Sequence, residues 1–219
     1  MTPCRTITAP PPQTGTTEDK RMLKALSRRA LFGALAATLT FGAGVAHANP
    51  ATDFVNSFGG QLVSIVNSSK PLAEKKREVL PLLQSNVDIQ GIARYCLGRY
   101  WRTATPAQQQ KYLQLFDQVL VNTITDQIGN YQGVSFRVTG STPTPDGERV
   151  NALIDRPGQP EVNMQLIIGG NPSKVVDMYG EGASLRMNQR GDYSSYLSRH
   201  GGDVGALNTA LEHQLNNHH

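Results

Sequence analysis

A helical first half folded over one curved, four-stranded antiparallel sheet, an α+β domain, is what this sequence predicts. One change of rhythm carries the prediction. Up to Tyr131 apolar residues recur every three or four positions, and from Val134 to Met178 they recur every second position. The connectors of the second region, "STPTPDG", "RPGQP" and "GGNPS", are turn chemistry, so the alternating runs form a meander. A chain of 219 residues, 38% hydrophobic and 17% charged, suits one soluble domain.

The leader stands apart from that domain. Residues 1–21, with "TAPPPQTGTTEDK", predict an unstructured extension. Then "KALSRR" supplies a positive start, "ALFGALAATLTFGAGVA" a short apolar run and "AHA" a small-residue cleavage site, the pattern of a signal peptide cut after Ala48. Gly33, Gly42 and Gly44 interrupt the run, which is too short for a membrane span. Met22 is an alternative start, and Ser27-Arg28-Arg29 loosely matches a twin-arginine signal, so both export routes stay open. The mature chain is then a single domain over 49–219.

The formal charge of +4 belongs to the leader. Six of the 21 Lys and Arg precede Asn49, against two of the 17 Asp and Glu, which leaves 15 of each sign behind it. A neutral body argues against nucleic acid, because a phosphate-tracking groove needs clustered cations. Cys4 falls in the leader, so Cys96 has no partner for an internal disulfide after export. Amid apolar neighbours it reads as a buried structural thiol.

Helices fill the first half. Phe54, Phe58, Leu62 and Ile65 sit about one turn apart, with Gly59-Gly60 weakening the helix. Leu72, Val79, Leu82 and Leu83 mark a second helix that Pro81 should kink or divide. Asp88 is an N-cap for a third, whose Ile89, Ile92, Cys96 and Tyr100 form one stripe widened by Leu97 and Trp101. Thr105, Pro106 and Gln108 spell a capping box with proline in the first turn. From there Tyr112, Leu113, Phe116, Val119, Leu120, Ile124, Ile128 and Tyr131 predict a central helix of about seven turns, ended by Gly129 or Gly133.

Strands follow. Val134, Phe136 and Val138 alternate, as do Val150, Ala152 and Ile154, then Val162, Met164, Leu166 and Ile168, and finally Val176 and Met178. One face is apolar and the other polar, as when helices cover one side. The tail returns to helix, with Gly201 and Gly202 at a joint.

No catalytic constellation is visible. The histidines of the mature chain, His200, His213, His218 and His219, crowd the C-terminus without metal-site spacing, and no nucleophile elbow or phosphate loop occurs. No cofactor or metal is expected. Asp177, near a strand end, is the one candidate general base, without a titratable partner. The inward apolar residues fit either a solid core or a hollow one, because both need the same pattern.

Two long stretches carry a resemblance. "ARYCLGRYWRTATPAQQQKYLQLF" is similar to the signature region of the MlaC (toluene-tolerance) family of periplasmic phospholipid-binding proteins. "VVDMYGEGASLRMNQRGDYSSYL" resembles the family's second conserved run, and the likeness extends over roughly Asn49 to Leu211. "DIQGIARYCLGRYW" and "SRHGGDVGALNTAL" look closest to the branch found beside hopanoid biosynthesis genes. The turn "LIIGGNPSKV" is shorter than the family's hairpin, which would alter a pocket mouth.

Membership implies an NTF2-like cone with an apolar cavity between sheet and helices, which takes acyl chains and leaves the headgroup outside. It implies a monomeric periplasmic shuttle, not an enzyme. Its partners would be a phospholipid or hopanoid-type lipid, an inner-membrane ABC transporter with an MCE-domain subunit, and an outer-membrane lipoprotein complex. The lipid-facing positions implied are Ile92, Cys96, Tyr100, Phe116, Val119 and Leu120 on the helices. On the strands they are Phe136, Val138, Ala152, Ile154, Val162, Met164, Leu166 and Met178. Arg99 and Arg102 could dock partner surfaces or lipid phosphate, although arginines beside rings on a helix are more often structural, snorkelled or ion-paired. Two rivals remain: an enzyme on a hydrophobic substrate that uses Asp177, and an envelope structural partner with a filled core.

Overall fold

The structure, a computed structural model, describes residues 49–217. The leader, its cleavage site, His218 and His219 lie outside the described residues.

Local chemistry sets the helix ends. Asn49 caps α1 (Pro50–Asn67), its side-chain oxygen accepting from the Ala51 N–H at 2.9 Å. α2 (Leu72–Asn86) runs unbroken through Pro81, because Val79 and Leu83 on either side are buried in one core. Asp88 caps α3 (Ile89–Leu97), which stops at Gly98 with φ at 58° and passes into a 3-10 stretch, Gly98–Arg102. The capping box of α4 (Pro106–Asp126) forms as its sequence predicts. Gln108 N donates to Thr105 Oγ1 at 3.2 Å, and Thr105 N donates to Gln108 Oε1 at 2.9 Å. The helix ends short of its expected seven turns, and Ile128–Tyr131 tighten into a 3-10 turn.

The meander is present: β1 (Ser135–Thr144), β2 (Gly147–Asp155), β3 (Val162–Gly169) and β4 (Lys174–Gly180) pair antiparallel in chain order. A fifth strand, β5 (Ala183–Ser184), pairs with the end of β4, and Val87 bridges Val175 near its start. Both shield part of an otherwise open edge. Two residues hold too little alternation for a sequence to reveal such a strand. The tail folds as α5 (Leu185–Arg199) and α6 (Val204–Asn216) about the glycine joint.

One strand departs from its alternation. Met178 lies opposite Leu166 and Val175 opposite Ile168, so Val176 is the extra residue of a bulge and Val175 takes the buried place instead. A second irregularity between Val138 and Gly140 adds bending on β1, which curves the sheet.

The side chains form two cores. α1, α2, the 3-10 turn after α4 and the inner sheet face make one; α3, α4, α5 and α6 make the other. α4 is not the helix that lies across the sheet. Instead α4 packs on α3 and α6, and α1 covers the strands. α5 and α6 are the cause, because they return to bury the stripe of α4. From the last turn of α4, Ile124 joins the sheet core.

Candidate functional site

The inner face of the sheet is an apolar grid. Its register aligns Phe136, Ile154 and Val162 in one cross-strand row, Val138, Ala152 and Met164 in the next, and Val150, Leu166 and Met178 in a third. Val150 and Ala152 are fully buried at the centre, while Phe136, Val138, Ile154 and Met164 are half-buried around them.

α1 lies across this grid, tied at its ends by polar contacts. At the N-terminus Asn49 Nδ2 donates to Ser141 Oγ and Glu148 Oε1, both at 2.9 Å; at the C-terminus Asn67 Nδ2 donates to the Val134 carbonyl at 2.8 Å. Between these ties the contact is apolar, made by Val55, Phe58 and Gly59. Gly59 has a specific purpose. A Cβ there would stand 2.5 Å from Cε1 of Phe136, so only glycine lets the ring seat against the helix backbone. The Phe136 ring thus lies between α1 and the strands, where the resemblance implies a cavity. Gly59 sits on the buried stripe beside Phe58, a sequence signal for close approach that a reading of helix propensity alone passes over.

The predicted lining positions divide between the two cores. Phe136, Val138, Ala152, Ile154, Val162, Met164, Leu166 and Met178 share the sheet face. Ile92, Cys96, Tyr100, Phe116, Val119 and Leu120 lie in or against the helical core. There Tyr112, Phe116 and Tyr193 pack ring against ring, and the Tyr112 hydroxyl donates to the Ala93 carbonyl at 2.9 Å. Burial pushes the Tyr112 and Tyr193 hydroxyls up from the usual phenol range. Cys96 is 1% exposed and its thiol donates to the Arg186 carbonyl at 3.5 Å. Burial, with help from the Asp177 charge, pushes that thiol up to about 12, so it stays protonated and unreactive.

Asp177 does not have the freedom a general base needs. It is 2% exposed; Oδ2 accepts from Ser184 Oγ at 2.6 Å, and Oδ1 accepts from the backbone N–H groups of Met178 and Arg186. Arg186 Nε lies 3.2 Å from Oδ2 and its guanidinium stacks over Tyr95. The carboxylate therefore pins the start of α5 to β4. Two surface clefts lie on the helical side, one of about 410 Å³ between α5 and α6 and one of about 550 Å³ between α4 and α6. No group of three or more His, Cys, Asp or Glu suited to a metal exists among the described residues.

Comparison with known proteins now bears on this geometry. A phospholipid-binding protein from Ralstonia solanacearum, solved in complex with a phospholipid, has the same fold with a TM-score of 0.67. It is 20% identical, and the match covers 77% of this chain and 98% of that one. The family model described as MlaC protein matches residues 57–213, from the second turn of α1 into α6. With helices, meander and both sequence motifs inside that match, this chain belongs to the MlaC family.

Proposed function

We propose that the protein is a periplasmic lipid shuttle that holds acyl chains between α1 and the inner sheet face. The observation that carries this reading is the apolar grid under α1, met by Val55, Phe58 and a Phe136 ring seated on Gly59, with the described polar ties only at the helix ends. Membership of the MlaC family and the phospholipid complex of the Ralstonia protein support it. The eight strand positions from Phe136 to Met178 are the proposed lining, whereas the six helix positions serve a solid core.

The energetics suit a carrier. Burying a methylene is worth about 0.8 kcal/mol, so two chains of ~15 methylenes represent roughly 20 kcal/mol of contact with water to be avoided. The site must hold tails about as well as a bilayer does, or delivery stalls. Apolar strand faces provide this without directional bonds, and Met164 and Met178 add side chains that adapt to differing tails. Entry requires Phe136 to leave Gly59 while the asparagine ties hold α1 in place. The headgroup stays in water and asks for little recognition, so the cargo is a phospholipid or a hopanoid-type lipid. In this scheme the monomer exchanges cargo with an inner-membrane ABC transporter carrying an MCE-domain subunit and with an outer-membrane lipoprotein complex. The signal peptide delivers the chain to the periplasm, and no chemistry is performed on the lipid.

Purification followed by mass spectrometry of extracted lipid tests the reading. About one lipid per protein is expected. A lipid-free protein that also fails to take up phospholipid overturns it.

A further inference from the structure

The body of this protein is neutral in sum but not in distribution. From 89 to 116 the chain carries Arg94, Arg99, Arg102 and Lys111 and no Asp or Glu. The fold brings Arg190 of α5 to the same place, its Nε 3.1 Å from where a Cβ on Gly98 would stand. Among the described residues, none of these four arginines forms an ion pair, whereas Lys76, Lys111 and Arg137 each meet a carboxylate.

Rings hold the arginines. The Arg94 guanidinium lies 5.3 Å from the centre of Trp101, Arg99 4.9 Å from Tyr100, and Arg190 5.0 Å from Tyr95. Arg99 also donates to the Tyr100 hydroxyl, which pairs with Ser198 Oγ of α5 at 3.1 Å. All four arginines are exposed, and three of them lie over a ring with no carboxylate partner among the described residues. Three residues before Arg190, Met187 is 57% exposed. An unpaired cationic patch with half-buried rings at its base and an apolar side chain at its rim is matched by an anionic, partly apolar surface.

We propose that this face, formed by the end of α3, the 3-10 stretch and the adjoining side of α5, docks on anionic phospholipid bilayers. A bilayer is favoured over an acidic protein segment because the four arginines stand exposed and outside both clefts described above. Both clefts on the helical side lie elsewhere, and neither includes Arg94, Arg99, Arg102 or Arg190. Dispersed headgroup phosphates accept guanidiniums without a fixed socket, and the interface accommodates rings and a methionine. The inference stands apart from the cargo proposal, because vesicle binding reads the outside of the protein whether or not a lipid fills the inside.

The test is sedimentation of the full chain with vesicles of phosphatidylcholine, with and without phosphatidylglycerol. The leader is common to every arm, so differences between variants isolate the patch. Wild type should bind the anionic vesicles and lose that binding in high salt. The triple variant Arg94→Gln, Arg99→Gln, Arg190→Gln should bind them roughly tenfold or more weakly. A control that removes equal charge elsewhere, Lys76→Gln, Lys111→Gln, Arg137→Gln, should bind like wild type. Circular dichroism melts confirm that each variant is folded. Unchanged binding by the patch variant, an equal loss in the control, or no preference of wild type for anionic vesicles overturns the proposal. If the vesicles fail while an acidic protein partner is captured through the same arginines, the partner is a protein and the bilayer assignment is wrong.

Discussion

The two cores use similar residues and finish them differently. In the helical core Tyr112, Phe116 and Tyr193 meet at centroid distances of 5.8 to 6.4 Å, and the Tyr112 hydroxyl is bonded inside. In the sheet core, aliphatic rows meet α1 through Val55, Phe58 and Gly59, and the described ties between α1 and the sheet sit at the helix ends. The first kind of packing specifies one arrangement, because moving a ring breaks both its stacking and a buried hydrogen bond. The second kind has no directional bond to break in its middle, so hydrocarbon from another molecule can replace the contact. A carrier needs both: a solid half that keeps the fold and a replaceable half that holds the guest.

The sharpest break between the halves is Leu197→Ala. Leu197 is 0% exposed in the helical core, so truncation should cost about 2–5 kcal/mol, read as a lowered melting temperature. Lipid bound per folded molecule should not change; if it falls, the helical core takes part in binding.

Gly59→Ala probes the other half. Its Cβ would overlap the Phe136 ring, an overpacking expected to cost about 1–3 kcal/mol. The ring is then held off the helix, so lipid-free variant should melt lower than wild type and regain part of that loss when loaded. Equal melting with and without lipid would show that the seat is not where guests enter.

The smallest effect lies in pH. The Cys96 thiol is raised from its ordinary 9.0 to about 12, so above pH 9 the unfolded chain releases a proton that the folded protein keeps. Stability is therefore fully present below pH 9 and declines as pH rises from there towards about 12. By pH 10 the share due to the thiol is on the order of 1 kcal/mol, and Cys96→Val should remove that share in denaturant titrations, leaving the decline that the raised Tyr112 and Tyr193 hydroxyls add from about pH 10 upward. An unchanged slope would place the thiol in contact with water.

What was legible in the sequence was local. The box of Thr105 and Gln108 needs only four neighbouring residues, and the register from Phe136 to Leu166 follows from a period of two with turns at known places. Partnership between elements was not legible. The stripe of α4 states that a face is buried and not what buries it: Phe116, Val119 and Leu120, which the resemblance implies as lipid-facing, lie in or against the core of helices. The bulge at Val176 shifts one residue without any marker such as glycine or proline. A neutral total does not show distribution: the acid-free stretch from 89 to 116 is joined to Arg190 only by the fold.

The central claim, that acyl chains lie under α1 and not among α3 to α6, can be read from three methionines. Met164 and Met178 stand on the inner sheet face, and Met187 stands exposed on α5. The protein is labelled with methyl-13C methionine, loaded with a phospholipid carrying a nitroxide near its tail end, and freed of vesicles. The methyl signals of Met164 and Met178 should broaden while that of Met187 stays sharp. Sharp Met164 and Met178 signals in a loaded protein would contradict the account.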